Sequence, residues 1–182
     1  MTEESWQPEV HQGAAAPPPP DVQPALIRVV TWNIQFGREI EVASRELSTL
    51  EDLSAADIVL LQEMDELGSE TIARNLELNH VFASSGRHSQ TDRHFGNAVL
   101  SRWPLRDAEI VVLSHKSAVQ GQNRIAVRAT VAFGDVDVDA CSVHTEVPSL
   151  SPPKRRRQFE EIVEATERWA PDRLVVGGDF NT

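Results

Sequence analysis

From Leu26 onward, short apolar blocks alternate with polar stretches in two different rhythms. Residues 26–34 (Leu-Ile-Arg-Val-Val-Thr-Trp-Asn-Ile) are rich in β-branched and aromatic side chains, which predicts a strand. Ile40, Ala43, Leu47 and Leu50 then recur at helical spacing. Ser54-Ala55-Ala56-Asp57 breaks that helix. Ile58-Val59-Leu60-Leu61 follows as an unbroken apolar run, as expected of a strand covered on both faces. A shorter helix is predicted over residues 69–76 and a short strand over 81–83.

The rhythm then changes. Strands are predicted over 97–101 and 109–113, flanking the turn Arg102-Trp103-Pro104-Leu105. Residues 125–133 and 136–143 flank Gly134-Asp135, which suits a tight hairpin. Val136, Val138 and Ala140 alternate with Asp135, Asp137 and Asp139, predicting a half-exposed strand with a solvated acidic face. Ser151 is positioned to cap a helix whose first turn holds Pro152 and Pro153. Phe159, Ile162, Val163, Thr166 and Trp169 are its expected buried stripe, and Pro171 ends it. Residues 174–176 are a last buried strand. Helices between some strands and hairpins between others predict packed sheets with helices outside.

A chain of 182 residues, 40% hydrophobic and 25% charged, fits one soluble domain. Residues 1–24 are the exception. Ala14-Ala15-Ala16 and Pro17 to Pro20 favour an extended, solvated chain, so this stretch is expected to be a disordered tail, with the domain over 25–182. No apolar run approaches the ~18 residues of a membrane helix, and no secretory signal opens the chain. The single cysteine, Cys141, sits in a strand-like run and is expected to be a core residue. A reducing cytoplasm is the default location. The net charge is −11, and the first 25 residues hold four acidic and no basic side chains, so the body carries −7. An acidic body disfavours tight binding of nucleic acid. It still admits a phosphate ester if a divalent cation supplies local positive charge. No protein partner is inferred.

Four apolar runs end in a polar residue: Asn33 after the first strand, Glu63 after the second, His144 after Ser142-Val143, and Asp179 with Asn181 after Gly177-Gly178. Ligand sites collect where strands end and loops begin. Taken singly, such an Asn is more often a turn former and such a Glu more often a cap or surface charge. Lys154-Arg155-Arg156-Arg157 opens a helix, where cations oppose the helix dipole. Glu160, Glu161 and Glu164 follow at pairing distance, so a solvated, ion-paired face is expected.

Five segments occur in a fixed order: Thr31-Trp32-Asn33, Leu61-Gln62-Glu63, Gly96-Asn97-Ala98-Val99-Leu100-Ser101, Val143-His144-Thr145 and Gly178-Asp179-Phe180-Asn181. The set resembles the endonuclease/exonuclease/phosphatase family of metal-dependent phosphoester hydrolases. That family includes pancreatic-type deoxyribonucleases, neutral sphingomyelinases and inositol-polyphosphate phosphatases. The resemblance runs from about Leu26 to Thr182 and implies an α/β fold, a four-layer α/β/β/α sandwich of two packed mixed sheets. It implies a magnesium ion (with manganese as the alternative) held by Glu63 with Asn33 close by. Asp179 and Asn181 would orient the attacking water, or touch the metal or phosphate, and His144 would donate to a phosphate oxygen. Asn97 and Arg124 would lie near the substrate phosphate, although Asn97 could instead stabilise its loop and Arg124 could be a surface charge. The family usually adds a later Asp and a closing Asp-His pair, and neither occurs up to Thr182. The resemblance therefore implies a fold incomplete at the C-terminus and a fragment of low activity. A non-catalytic binding module that keeps the fold is the alternative expectation.

Overall fold

The structure is a computed structural model that describes residues 6–19, 25–88, 92–117, 121–147, 152–169 and 171–182. The described strands are β1 (Val10–Gly13), β2 (Val29–Asn33), β3 (Ile58–Met64), β4 (Asn79–Arg87), β5 (His94–Ser101), β6 (Leu105–Leu113), β7 (Arg124–Phe133), β8 (Val136–His144) and β9 (Leu174–Asp179). The helices are α1 (Ile40–Thr49), α2 (Glu51–Ser54), α3 (Glu66–Asn75) and α4 (Pro152–Thr166), with a 3-10 turn at Pro171–Arg173. One sheet runs β1-β4-β5-β3-β2 and the other β6-β7-β8-β9. Each contains one parallel pair, β2 with β3 and β8 with β9; the other neighbours are antiparallel. Both sheets are therefore mixed, as the family resemblance implied.

Strand alternation explains the layers. On β3, Ile58 and Leu60 face the second sheet and pack with Val81, Val99, Ile125, Val127 and Val131. Val59 and Leu61 face the opposite way, toward Leu47 of α1 and Ile72 of α3. This two-sided burial is why the run carries no polar residue. On the far side, Ile162 and Ala165 of α4, with Trp169, cover Ala126, Cys141 and Val143. The order is helix, sheet, sheet, helix. Cys141 lies in the core, and burial pushes its thiol up to about 12. Among the described residues, no helix is long and apolar enough to cross a membrane.

Four readings of the sequence are corrected. Residues 10–13, within the stretch expected to be a tail, form β1 and pair with β4, Val10 opposite Ala83 and Gly13 opposite His80. Without β1 the buried strand β4 would present an open edge. A Cβ on Gly13 would stand 2.6 Å from the His80 ring, so glycine permits this approach. The acidic face of β8 is not uniformly solvated. Asp139 is buried, accepting from Arg128 Nη1 at 2.6 Å and Thr130 Oγ1 at 2.8 Å. The helix predicted over 69–76 begins earlier, at Glu66, because the Asp65 carboxylate caps it by accepting from Gly68 N.

The fourth correction concerns α4. Its buried residues are Gln158, Ile162 and Ala165, followed by Trp169, while Val163 is 55% exposed. Gln158 takes the place expected of Phe159 because its amide serves backbone groups: it accepts from Glu146 N at 2.8 Å and donates to Ser114 O at 2.9 Å. Ser151 lies outside the described residues. Ile162→Ala is expected to cost roughly 2–5 kcal/mol, and Val163→Ala to change stability by under about 0.5 kcal/mol. Urea melts of the two variants would instead show substantial losses for both if α4 docked with its predicted stripe inward.

Candidate active site

The two sheets are apolar against each other until the ends of the parallel pairs, where the contact turns polar. Gln62 is the next inward position after Leu60, and its Nε2 donates to Ser142 Oγ at 2.9 Å. Ser142 Oγ in turn donates to Leu61 O at 2.9 Å. Asn97 is 1% exposed, and its amide donates to Ile125 O at 3.0 Å and Ser142 O at 3.3 Å. Its donors are thus spent on the opposite sheet. The structure places Asn97 beneath the rim as a clamp between the sheets.

Beyond this polar layer the chain turns sharply. Gln35, Phe36 and Gly37 have φ of 43°, 62° and 57°, Glu63 has 58° and Asn181 has 49°. Non-glycine residues in this region carry strain of about 1–3 kcal/mol, and such strain clusters at functional sites. Glu63 sits where the pairing of β3 with β5 shifts between Leu61 and Met64. The bulge takes its side chain out of the strand's alternation.

These turns bring together residues far apart in sequence. Asn33 Nδ2 donates to Asp179 Oδ2 at 2.8 Å, while Asn33 Oδ1 accepts from Gln35 N at 2.9 Å. Glu63 Oε2 accepts from Phe36 N at 3.0 Å. Glu63 Oε1 and Asp179 Oδ2 each lie 3.9 Å from His144 Nε2. Arg124 Nη1 lies 3.3 Å from the same nitrogen, and Arg124 Nη2 lies 3.7 Å from Glu146 Oε1. Glu63, Ser117, Arg124, His144, Glu146 and Asp179 line a cavity of about 190 Å³ that also reaches Asn181. Arg124 is therefore a buried wall residue, not a surface charge.

Burial, and then the Arg124 guanidinium, push the His144 imidazole down to about 3, against the opposing pull of Asp179. The ring is neutral at physiological pH, so its approaches to Glu63 and Asp179 are contacts, not ion pairs. Burial also lowers Arg124, while Glu146, Glu63 and Asp179 favour its charge. Three carboxylates then face one guanidinium, and a phosphate could not enter such an anionic wall without another cation. The oxygens of Glu63, Asp179, Asn33 and Asn181 are hard donors suited to magnesium. Among the described residues no three His, Cys, Asp or Glu side chains form a closed cation cage.

The sequence reading missed Glu146 and Arg155. Glu146 lies two residues after His144 in an extended segment, and that spacing was the available signal. Arg155 Nη1 donates to Asn181 O at 2.7 Å, tying α4 to the loop after β9. Its neighbours do form the expected ion pairs, Arg156 with Glu160 at 3.1 Å and Arg157 with Glu161 at 3.3 Å. Asn181 is held further by its own Nδ2, which donates to Thr145 O at 2.9 Å.

A two-sheet sandwich with this rim defines a class, and the comparisons agree. Residues 30–182 match the model of the endonuclease/exonuclease/phosphatase family, and the chain belongs to that family. Solved structures share the fold. Sphingomyelinase C from Streptomyces griseocarneus superposes with a TM-score of 0.62 at 18% identity, covering 85% of this chain and 64% of that one. The human Nocturnin catalytic domain with bound sulfate gives 0.64 at 19% identity, covering 96% and 68%. A mutant Staphylococcus aureus beta toxin with bound magnesium ions gives 0.66 at 14% identity, covering 85% and 64%. A curated protein of Cereibacter sphaeroides, UDP-N-acetylmuramoylalanine--D-glutamate ligase, is 30% identical over 102 residues, which are 56% of this chain and 20% of that protein. The chain thus spans a fifth of that relative and about two thirds of the structural neighbours.

Proposed function

We propose that this rim is the metal-binding part of a phosphoester hydrolase that cleaves phosphomonoesters or phosphodiesters with magnesium. One observation carries the reading: Glu63, Asp179 and Arg124, from three separate strands, surround the same nitrogen of His144. In it, Glu63 holds the ion, assisted by the oxygen of Asn33. When bound there, the ion would supply charge to neutralise the phosphate and the leaving oxygen of an in-line displacement. Asn33 also fixes Asp179, whose carboxylate, with Asn181, orients the attacking water. The neutral His144 ring donates one N–H to a nonbridging oxygen as charge develops there. Arg124 offers a second donor to the phosphate. Family membership and the fold support this assignment, and magnesium bound to a neighbour of the same fold supports the choice of metal.

The test is turnover of a panel of phosphomonoesters and phosphodiesters with and without magnesium. Hydrolysis is expected to depend on magnesium and, in this chain, whose sequence contains no closing Asp-His pair, to be slow. His144→Asn should lower kcat by roughly 10²–10³-fold, the size of a lost oxyanion donor, with a much smaller change in KM. A protein that binds magnesium and phosphate but turns over nothing in the panel would be a binding module instead.

A further inference from the structure

Two residues that line the cavity each hold a buried polar atom with no hydrogen-bond partner among the described residues: Arg124 Nε and Glu146 Oε2. Both side chains are more than nine-tenths buried, at 7% and 2% exposed. Their remaining atoms are engaged. Arg124 Nη1 faces His144, Arg124 Nη2 faces Glu146 Oε1, and Glu146 Oε1 accepts from Val147 N at 3.0 Å. Leaving a charged group buried and unsatisfied is costly, so each atom calls for a ligand group.

The two requirements differ. Arg124 Nε is a donor and suits a phosphoryl oxygen. Glu146 Oε2 is an acceptor only and repels phosphate oxygens, so it needs a group that carries a proton. A phosphodiester has no such proton at neutral pH, and the proton must come from the alcohol part of the ligand. An ammonium is disfavoured because Arg124 stands 3.7 Å away and already balances the carboxylate. A neutral hydroxyl fits both charge and hydrogen bonding.

The geometry points to Glu146 as a specificity-determining residue that accepts a hydrogen bond from a hydroxyl next to the bound phosphoryl group. The ligand class is then the phosphoester of a polyol, sugar or nucleoside, not of a simple alcohol. This inference rests on the reading of the rim as a phosphoester site.

Calorimetric titration with two diesters, methyl 2-hydroxyethyl phosphate and methyl ethyl phosphate, in magnesium buffer tests it without requiring turnover. The hydroxylated ester is expected to bind roughly 10–100-fold more tightly, the effect of one hydrogen bond to a charged group. In Glu146→Ala the ratio should fall to about 1, and Glu146→Gln, which keeps the side chain's shape, should give an intermediate ratio. Equal affinities in the parent protein, a comparison that needs no variant, overturn the assignment while leaving the phosphoester reading intact. Tighter binding of methyl 2-aminoethyl phosphate than of the hydroxylated ester overturns it as well. If neither diester binds, both readings fall together.

Discussion

Glu63→Ala is expected to abolish the response of the protein to magnesium. With the metal at about 100 times its dissociation constant, the parent should gain about 2.7 kcal/mol from binding, a rise in Tm of roughly 5–10 °C for a chain of this size. The variant should gain none, and its turnover should fall at least as far as that of the His144 variant. Glu63 holds two positions at once, and the control must separate them. Oε2 receives the Phe36 amide and fixes the loop after β2, while Oε1 faces His144 and the cavity. Removing the whole side chain therefore frees the loop as well as deleting the proposed metal ligand. Glu63→Gln keeps an acceptor for Phe36 N but removes the charge that a hard dication requires. Loss of the magnesium shift in both variants assigns the metal to the carboxylate. A shift equal in the parent and both variants would remove Glu63 from the site.

The elements legible in the sequence were those whose pattern is set by a single environment. The apolar run 58–61 is buried on both faces, and the segments around Gly134-Asp135 alternate across a hairpin, so each carries its own signal. The strand-end residues Asn33, Glu63, His144 and Asp179 were legible because a polar residue after an apolar run marks the point where a sheet meets solvent. What stayed hidden depends on a partner distant in sequence. β1 exists because β4 needs an edge neighbour, and nothing in Val10–Gly13 announces it. Asn97 and Gln158 look like surface residues until the opposite sheet or the nearby loops supply their hydrogen bonds. Asp139 matches Asp137 in pattern, yet one is buried against Arg128 and the other pairs with Arg106 in solvent. Glu146 was passed over because Arg124, the residue that makes its burial tolerable, lies 22 positions earlier.

The same dependence makes Gly96 a position where a single methyl group should do severe damage. A Cβ there would stand 1.8 Å from the carbonyl oxygen of Ala83 and 2.9 Å from its carbonyl carbon. Both are backbone atoms of β4, so no side chain can rotate away. β4 cannot retreat freely either, since Ala83 pairs with Asn97 on one side and with Val10 of β1 on the other. Gly96 also pairs with Met64, immediately after the bulge that presents Glu63. Gly96→Ala is therefore expected to reach or exceed the upper end of the roughly 1–3 kcal/mol typical of overpacking, and to weaken the magnesium response because the bulge shifts. Gly177→Ala is the informative contrast. Its new Cβ would meet Leu60 Cδ1 at 2.8 Å, the tip of a side chain that can adjust, so the loss should be clearly smaller. Urea melts of both variants, with and without magnesium, measure the two effects together. A Gly96 variant as stable as the Gly177 variant would mean that β4 and β5 are not held as closely as this structure has them, and the placement of Glu63 would lose its support.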